Sequence, residues 1–200
     1  MTRLAAPLEP GFADPVEDAQ RIFRRILDAM AHPGRIVTID RPATLPPGPL
    51  GRAAVATALT LFDFETPVWL DPAAASAVAH LRFHCNCPLA AHPAEADFAI
   101  AADLLALPPL DGFALGNDLY PDRSTTLILE VAGLEADGAL RLTGPGIERE
   151  MPLAIAGLPS GFWAGRAALA PLFPRGLDLI VACGDRLAAV PRTTSVSGGE

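Results

Sequence analysis

Leu177-Asp178-Leu179-Ile180-Val181-Ala182-Cys183, followed by Gly184-Asp185 and then Arg186-Leu187-Ala188-Ala189-Val190, is the stretch on which the architecture turns. The first segment is a continuous apolar run of strand length. It suits a sheet buried on both faces, since a strand with one wet face would alternate apolar and polar residues. Gly184-Asp185 is a turn signal, so residues 186–190 read as a last strand.

Upstream, Thr125-Thr126-Leu127-Ile128-Leu129-Glu130-Val131 is a strong strand pattern, and Ala139 to Thr143 follows it. Asp137-Gly138 between the two is a hairpin signal. Asp97 to Ala101, Pro67 to Leu70 and Arg35 to Ile39 are shorter strand candidates, the last rich in β-branched residues. A helix is expected from Asp14. Asp14 can cap it, Pro15 suits the first turn and Glu17 can reach back as in a capping box. Val16, Ala19, Phe23, Ile26, Leu27 and Met30 fall on one face of that helix, and His32-Pro33-Gly34 ends it. Further helices are expected over 50–62, from Asp71-Pro72 to about His80, and over 161–172 with Ser160 as cap. Helices and strands that mix along the chain, with hairpins and crossover-length connections, predict an α/β fold with a mixed central sheet flanked by helices. Residues 1–13 read as an N-terminal arm, 14–194 as a single α/β domain with a Pro-rich loop at 41–49, and 195–200 as a disordered tail.

Two hundred residues can enclose a real core, and half of them are hydrophobic. No apolar run approaches the ~20 residues of a membrane span. Glu9 and Pro10 arrive before any apolar signal region forms, so the expected location is the cytoplasm and no membrane partner is expected. The formal net charge of −8 argues against nucleic acid as a partner. All fifteen basic residues are arginine, with no lysine anywhere. That excludes a Walker-type phosphate lysine, a lysine Schiff base and a lysine general base, and with them the usual covalent seat of pyridoxal phosphate. No cofactor is expected. Three cysteines are too few for a disulfide scaffold.

Several constellations invite a chemical reading. His80, His84, Cys85, Cys87 and His92 crowd into thirteen residues, but Cys85-Asn86-Cys87 leaves one residue between thiols where structural zinc sites use two to four. Read as a strand, 81–87 would put Leu81, Phe83, Cys85 and Cys87 on one face and His80, Arg82 and His84 on the other, splitting any ligand set. No metal is expected, and buried thiols are the plainer reading. Gly144-Pro145-Gly146-Ile147 can offer backbone N–H groups to an anion or simply make a tight turn. Gly161-Phe162-Trp163-Ala164-Gly165 reads as a helix start with aromatic packing. Pro191-Arg192-Thr193-Thr194 lies just past the final strand, where α/β sheets tend to bind ligands, and arginine suits bidentate phosphate recognition. A surface arginine closing a strand fits equally. Tyr120-Pro121-Asp122-Arg123-Ser124 has the same two readings. The candidate anion-binding residues are thus Arg192, Thr193, Thr194, Arg123, Gly144 and Gly146. No Gly-x-Ser-x-Gly elbow exists, and no catalytic set emerges.

Six segments together resemble the PhnH family of phosphonate metabolism. They are Asp18-Ala19-Gln20 to Phe23-Arg24 with Met30-x-x-Pro33-Gly34; Leu81-Arg82-Phe83-His84; Gly116 to Thr126 with Tyr120-Pro121; Leu142-Thr143-Gly144-Pro145-Gly146-Ile147; Phe173-Pro174-x-Gly176-x-Asp178; and Cys183-Gly184 through Pro191-Arg192-Thr193-Thr194. They run in order over roughly 12 to 194. The resemblance implies a fold similar to the large domain of pyridoxal-phosphate-dependent transferases, without cofactor or catalytic lysine. It also implies a homodimer when isolated and assembly with PhnG, PhnI and PhnJ into the carbon-phosphorus lyase core complex. That complex forms alpha-D-ribose 1-methylphosphonate 5-triphosphate by placing a phosphonate on the ribose carbon of a purine nucleoside triphosphate, with loss of the base. The implied role is that of a required subunit, structural or ligand-sensing, with no reaction of its own. The rival expectation is a stand-alone phosphonate- or nucleotide-binding protein or enzyme that uses Arg123 and Arg192. Cys85 and Cys87 depart from the residues expected after Leu-Arg-Phe-His.

Overall fold

A computed structural model describes residues 10–40 and 48–198. Most of the arm expected over 1–13 and of the loop expected over 41–49 therefore lies outside the described residues. The strands are β1 (Val37–Thr38), β2 (Val68–Leu70), β3 (Phe98–Ala101), β4 (Thr126–Glu130), β5 (Gly133–Thr143), β6 (Met151–Ala156), β7 (Asp178–Cys183), β8 (Arg186–Val190) and β9 (Ser195–Ser197). The helices are α1 (Pro15–Ala31), α2 (Arg52–Leu61), α3 (Val78–Cys85) and α4 (Phe162–Ala167).

The apolar run at 178–183 is central, as its composition demands. The main sheet has the order β1-β8-β7-β4-β3-β2. β2, β3, β4 and β7 are parallel, whereas β8 runs antiparallel to β7 and β1 antiparallel to β8. Successive side chains serve opposite faces. Ile100, Ile128, Ile180, Ala182, Leu187 and Ala189 pack under α1, α2 and α3. Ala99, Leu127, Leu129, Leu179, Val181 and Val190 pack on the other side against Leu134, Leu140, Leu142 and Leu153 of a second sheet, together with Phe162 of α4. That second sheet is antiparallel, with the order β6-β5-β9. The result is an α/β fold with a six-stranded mixed sheet, helices on one face and a small sheet plus one helix on the other. Each fully buried leucine or isoleucine stabilises this sandwich by ~2 kcal/mol.

Several local expectations change. Asp14 caps α1 by accepting from the Glu17 N–H, but Asp18, not Glu17, reaches back to accept from the Asp14 N–H at 3.1 Å. The buried face of α1 is Asp18, Ile22, Ile26 and Ala29, while Val16, Phe23 and Leu27 are 77, 48 and 55% exposed. The helix carries two apolar stripes, and the one with Ile22, Ile26 and Ala29 is the one that packs on the sheet. Asp137-Gly138 makes no hairpin between β4 and β5. It sits inside β5 at an irregularity between Glu135 and Leu140, where Gly138 approaches the backbone of Leu153 and Ala154 too closely for any side chain. β6 carries Pro152, which hides it from strand patterning but is tolerated because β6 is an edge strand. Residues 81–87 are not a strand: α3 runs to Cys85 and ends at Asn86 in the left-handed conformation. The helix expected over 161–172 is six residues of α4 plus a 3-10 turn at Ala170–Leu172, capped by Gly161 rather than Ser160. Ser195–Ser197, expected in a disordered tail, pairs with β5 through Arg141, Leu142 and Thr143.

Candidate functional site

Arg192 follows β8, and because β8 is antiparallel it stands at the amino ends of the parallel strands, beside Asp178 at the start of β7. Ligands of α/β sheets gather at the opposite, carboxyl ends. The guanidinium is fully engaged inside the protein. Its Nε donates to both Asp178 carboxylate oxygens at 3.2 Å, and Nη2 donates to Asp178 Oδ2 and Ser124 Oγ, each at 2.5 Å. Nη1 donates to the carbonyls of Pro121 at 2.5 Å and Pro174 at 3.5 Å. All five N–H donors of an arginine are thereby occupied. Both side chains of the Arg192–Asp178 pair are only 16% exposed. Arg192, expected to bind an anion, is in the structure a strut joining three segments distant in sequence.

The other candidates scatter. Arg123 is exposed and lies over the Tyr120 ring, 4.3 Å from its centroid. Its loop does meet Arg192, but through Pro121 and Ser124. Thr193 is exposed and Thr194 buried. Gly144, at φ +137°, lies against the Thr193 carbonyl, and Gly146, at φ +83°, against the end of α1 at Ala31. These glycines serve close backbone approach, and they face different partners. Of the six, Arg192 and Thr194 border one pocket, and the other four lie outside it.

The carboxyl ends of the parallel strands, where an anion would be expected, are occupied by the protein's own carboxylates. Asp71, after β2, accepts from the N–H groups of Ala74, Ala102 and Asp103 at 2.8, 2.8 and 2.6 Å. Glu130, at the end of β4, accepts from the Gly51 N–H at the start of α2 at 2.8 Å. Burial raises the Glu130 carboxyl above its ordinary range, against the lowering by the Gly51 and Gly184 N–H groups.

The cysteine cluster is part of the helical layer. Cys85 Sγ contacts the Ala58 carbonyl at 3.8 Å. Burial, and after it the neighbouring Cys87 and Asp63, pushes the Cys85 thiol up to about 12, and burial raises Cys87 as well. Among the described residues no three His, Cys, Asp or Glu side chains are grouped to hold a metal ion. Because the thiolate is the nucleophile, Ellman's reagent should label the half-buried Cys183 first and reach Cys85 and Cys87 only on unfolding. A fast native phase that vanishes in Cys85→Ser would contradict this.

The residue that sequence reading passed over is Arg166 of α4. Its Nη1 donates to the Thr194 carbonyl at 2.8 Å and its Nη2 to the Pro191 carbonyl at 2.6 Å. Arg166, Arg175, Arg192 and Thr194 line a pocket of about 140 Å³ walled by Trp163 and Phe173. The motif Gly161 to Gly165 drew attention to the aromatics, but only the packing of α4 against β9 brings Arg166 to Thr194.

Residues 10–197 match a family model described as bacterial phosphonate metabolism protein (PhnH). A Rhizobium meliloti (strain 1021) protein named alpha-D-ribose 1-methylphosphonate 5-triphosphate synthase subunit PhnH is 42% identical over 198 residues, covering 98% of each chain. A Stutzerimonas stutzeri protein named putative C-P lyase subunit protein HtxG is 30% identical over 178 residues, 89% of this chain and 85% of the relative.

Proposed function

Since the chain belongs to the PhnH family of bacterial phosphonate metabolism proteins, we propose that it works as a subunit of the carbon-phosphorus lyase machinery in phosphonate catabolism. The observation that carries this is the 42% identity sustained over 98% of both chains with a relative named as a synthase subunit. In this reading the chain assembles with PhnG-, PhnI- and PhnJ-type subunits in the cytoplasm, forms a homodimer when isolated, and contributes structure or ligand sensing in place of a reaction of its own. Its fold is then akin to the large domain of pyridoxal-phosphate-dependent transferases, with the cofactor seat lost along with lysine. No described helix is long and apolar enough to cross a membrane.

Two features of the molecule support a subunit role. Val16, Phe23 and Leu27 lie seven and four residues apart on one line of α1 and stay exposed, which is the spacing of a helix that meets a partner. Of the two basic groups of the rival reading, Arg192 is paired with Asp178, while Arg123 lies exposed over the Tyr120 ring. The test is to purify the complex with and without this chain and to assay base release from a purine nucleoside triphosphate in the presence of an alkylphosphonate. Release should be lost without the chain and restored by adding it back. Full activity in its absence, or turnover by the chain alone, would refute the proposal.

A further inference from the structure

We propose that the pocket between α4 and the segment after β8 binds a tetrahedral oxyanion of the size of phosphate or a phosphonate headgroup, held by Arg166 and Thr194 with Arg175 beside them. Polar atoms buried in the residues around it are incompletely satisfied. Thr194 is 2% exposed and its Oγ1 has no hydrogen-bond partner, nor has the buried Nε of Arg166. Native proteins rarely leave such groups without a partner, because each costs the full desolvation of a polar atom. Arg175 adds a third: its Nε is 3.4 Å from Asp118 Oδ1, an ion pair too poorly aligned to be a hydrogen bond, and Asp118 itself is 87% exposed.

The charge balance points the same way. Arg192 is neutralised by Asp178, and Arg175 is paired with an exposed carboxylate. Among the described residues Arg166 makes no ion pair and donates only to backbone carbonyls. Burial disfavours its charged form, while the more distant Asp178 favours it. Arginine stays protonated in proteins, so a partly buried guanidinium without a counter-ion is stabilised by any anion that reaches it. Two of its five N–H donors go to the carbonyls of Thr194 and Pro191, so the guanidinium's donor capacity is not exhausted within the protein. The walls of Trp163 and Phe173 lower the local dielectric and strengthen such contacts.

Size selects the ligand class. About 140 Å³ exceeds the ~30 Å³ share of one water several-fold and falls below the ~300 Å³ at which drug-sized pockets begin. It admits a group of a few heavy atoms. Forked donors with a hydroxyl at their side suit a tetrahedral oxyanion. Such a group can be a free ion or the terminal group of a larger molecule whose body stays outside.

Isothermal titration of the full chain with inorganic phosphate at low ionic strength tests this. Saturable binding at one site is expected. Thr194→Val removes only the unpartnered hydroxyl, so it should leave the thermal midpoint of the ligand-free chain unchanged or higher while weakening phosphate binding about tenfold. Arg166→Lys, which keeps the charge and loses the fork, should weaken it at least as much. If Arg166→Lys fails to fold, Thr194→Val decides alone. Methylphosphonate binding as well as phosphate identifies a free oxyanion; a nucleoside triphosphate that competes with phosphate and binds more tightly identifies the end of a larger ligand. Either result supports the site. Absence of saturable heat, binding untouched by Thr194→Val, or equal displacement of phosphate by acetate overturns it.

Discussion

Arg192→Ala should destabilise the folded chain by ~3–5 kcal/mol, the cost of removing one partner of a buried ion pair. The loss is large because one guanidinium satisfies Asp178, Ser124 and the carbonyls of Pro121 and Pro174 together. With alanine there, the Asp178 carboxylate keeps the backbone N–H of residue 192 at 2.7 Å but loses its paired guanidinium in a site that is 84% shielded from solvent. The loop at 121–124 and the segment at 174 lose their shared anchor. Urea unfolding followed by circular dichroism should show a lower midpoint at unchanged slope. Arg192→Lys should fall between, since an ammonium can face Asp178 but cannot span Pro121 and Ser124. A midpoint within experimental error of the parent would show that the network stabilises nothing.

Asp71→Ala is the second large effect, at ~3 kcal/mol or more. The Asp71 carboxylate is 2% exposed and collects three backbone N–H groups from two places, the turn it caps and the chain leaving β3. Each such bond to a charged group contributes ~1.5–3 kcal/mol, and alanine leaves buried donors without an acceptor, offset in part by admitted water. The loss of the cap at Pro72 adds to it. Amide exchange at Ala102 and Asp103 should accelerate in Asp71→Asn, which has one carbonyl oxygen where the parent has two. Stability of Asp71→Ala within ~1 kcal/mol of the parent would show that solvent satisfies these groups equally well.

Both residues were partly legible. Asp71-Pro72 announces a cap, and the structure has one, but the bonds to Ala102 and Asp103 join residues about thirty apart and leave no local trace. Arg192 was picked out for its place after a strand. The edge on which it stands was not legible, because it depends on the direction of β8, which turns back from β7 after Gly184-Asp185. Asp178 was visible at the start of the run that decided the fold, but nothing local marks it as the partner of Arg192. Asp137-Gly138 carried the chemistry of a turn, yet it became an irregularity within β5 because β5 pairs with β6 and β4 pairs with β3 and β7.

What the sequence determined by itself is whatever a few neighbouring residues enforce. The cap at Asp14-Pro15, the doubly buried run at 178–183, the turn into β8 and the exclusion of lysine chemistry all follow from local sterics, hydrogen bonding or composition. The ordered motifs also carried the family. Tertiary structure alone decided which stripe of α1 is buried, that residues 195–197 form a strand, and that Arg166 meets Thr194 while Arg192 is neutralised. The physical reason is range: a cap or an apolar run lowers its free energy within one turn or one strand. The facing of a helix, the direction of a strand and the pairing of a charge are settled only when segments far apart in the chain compete for the same buried surface.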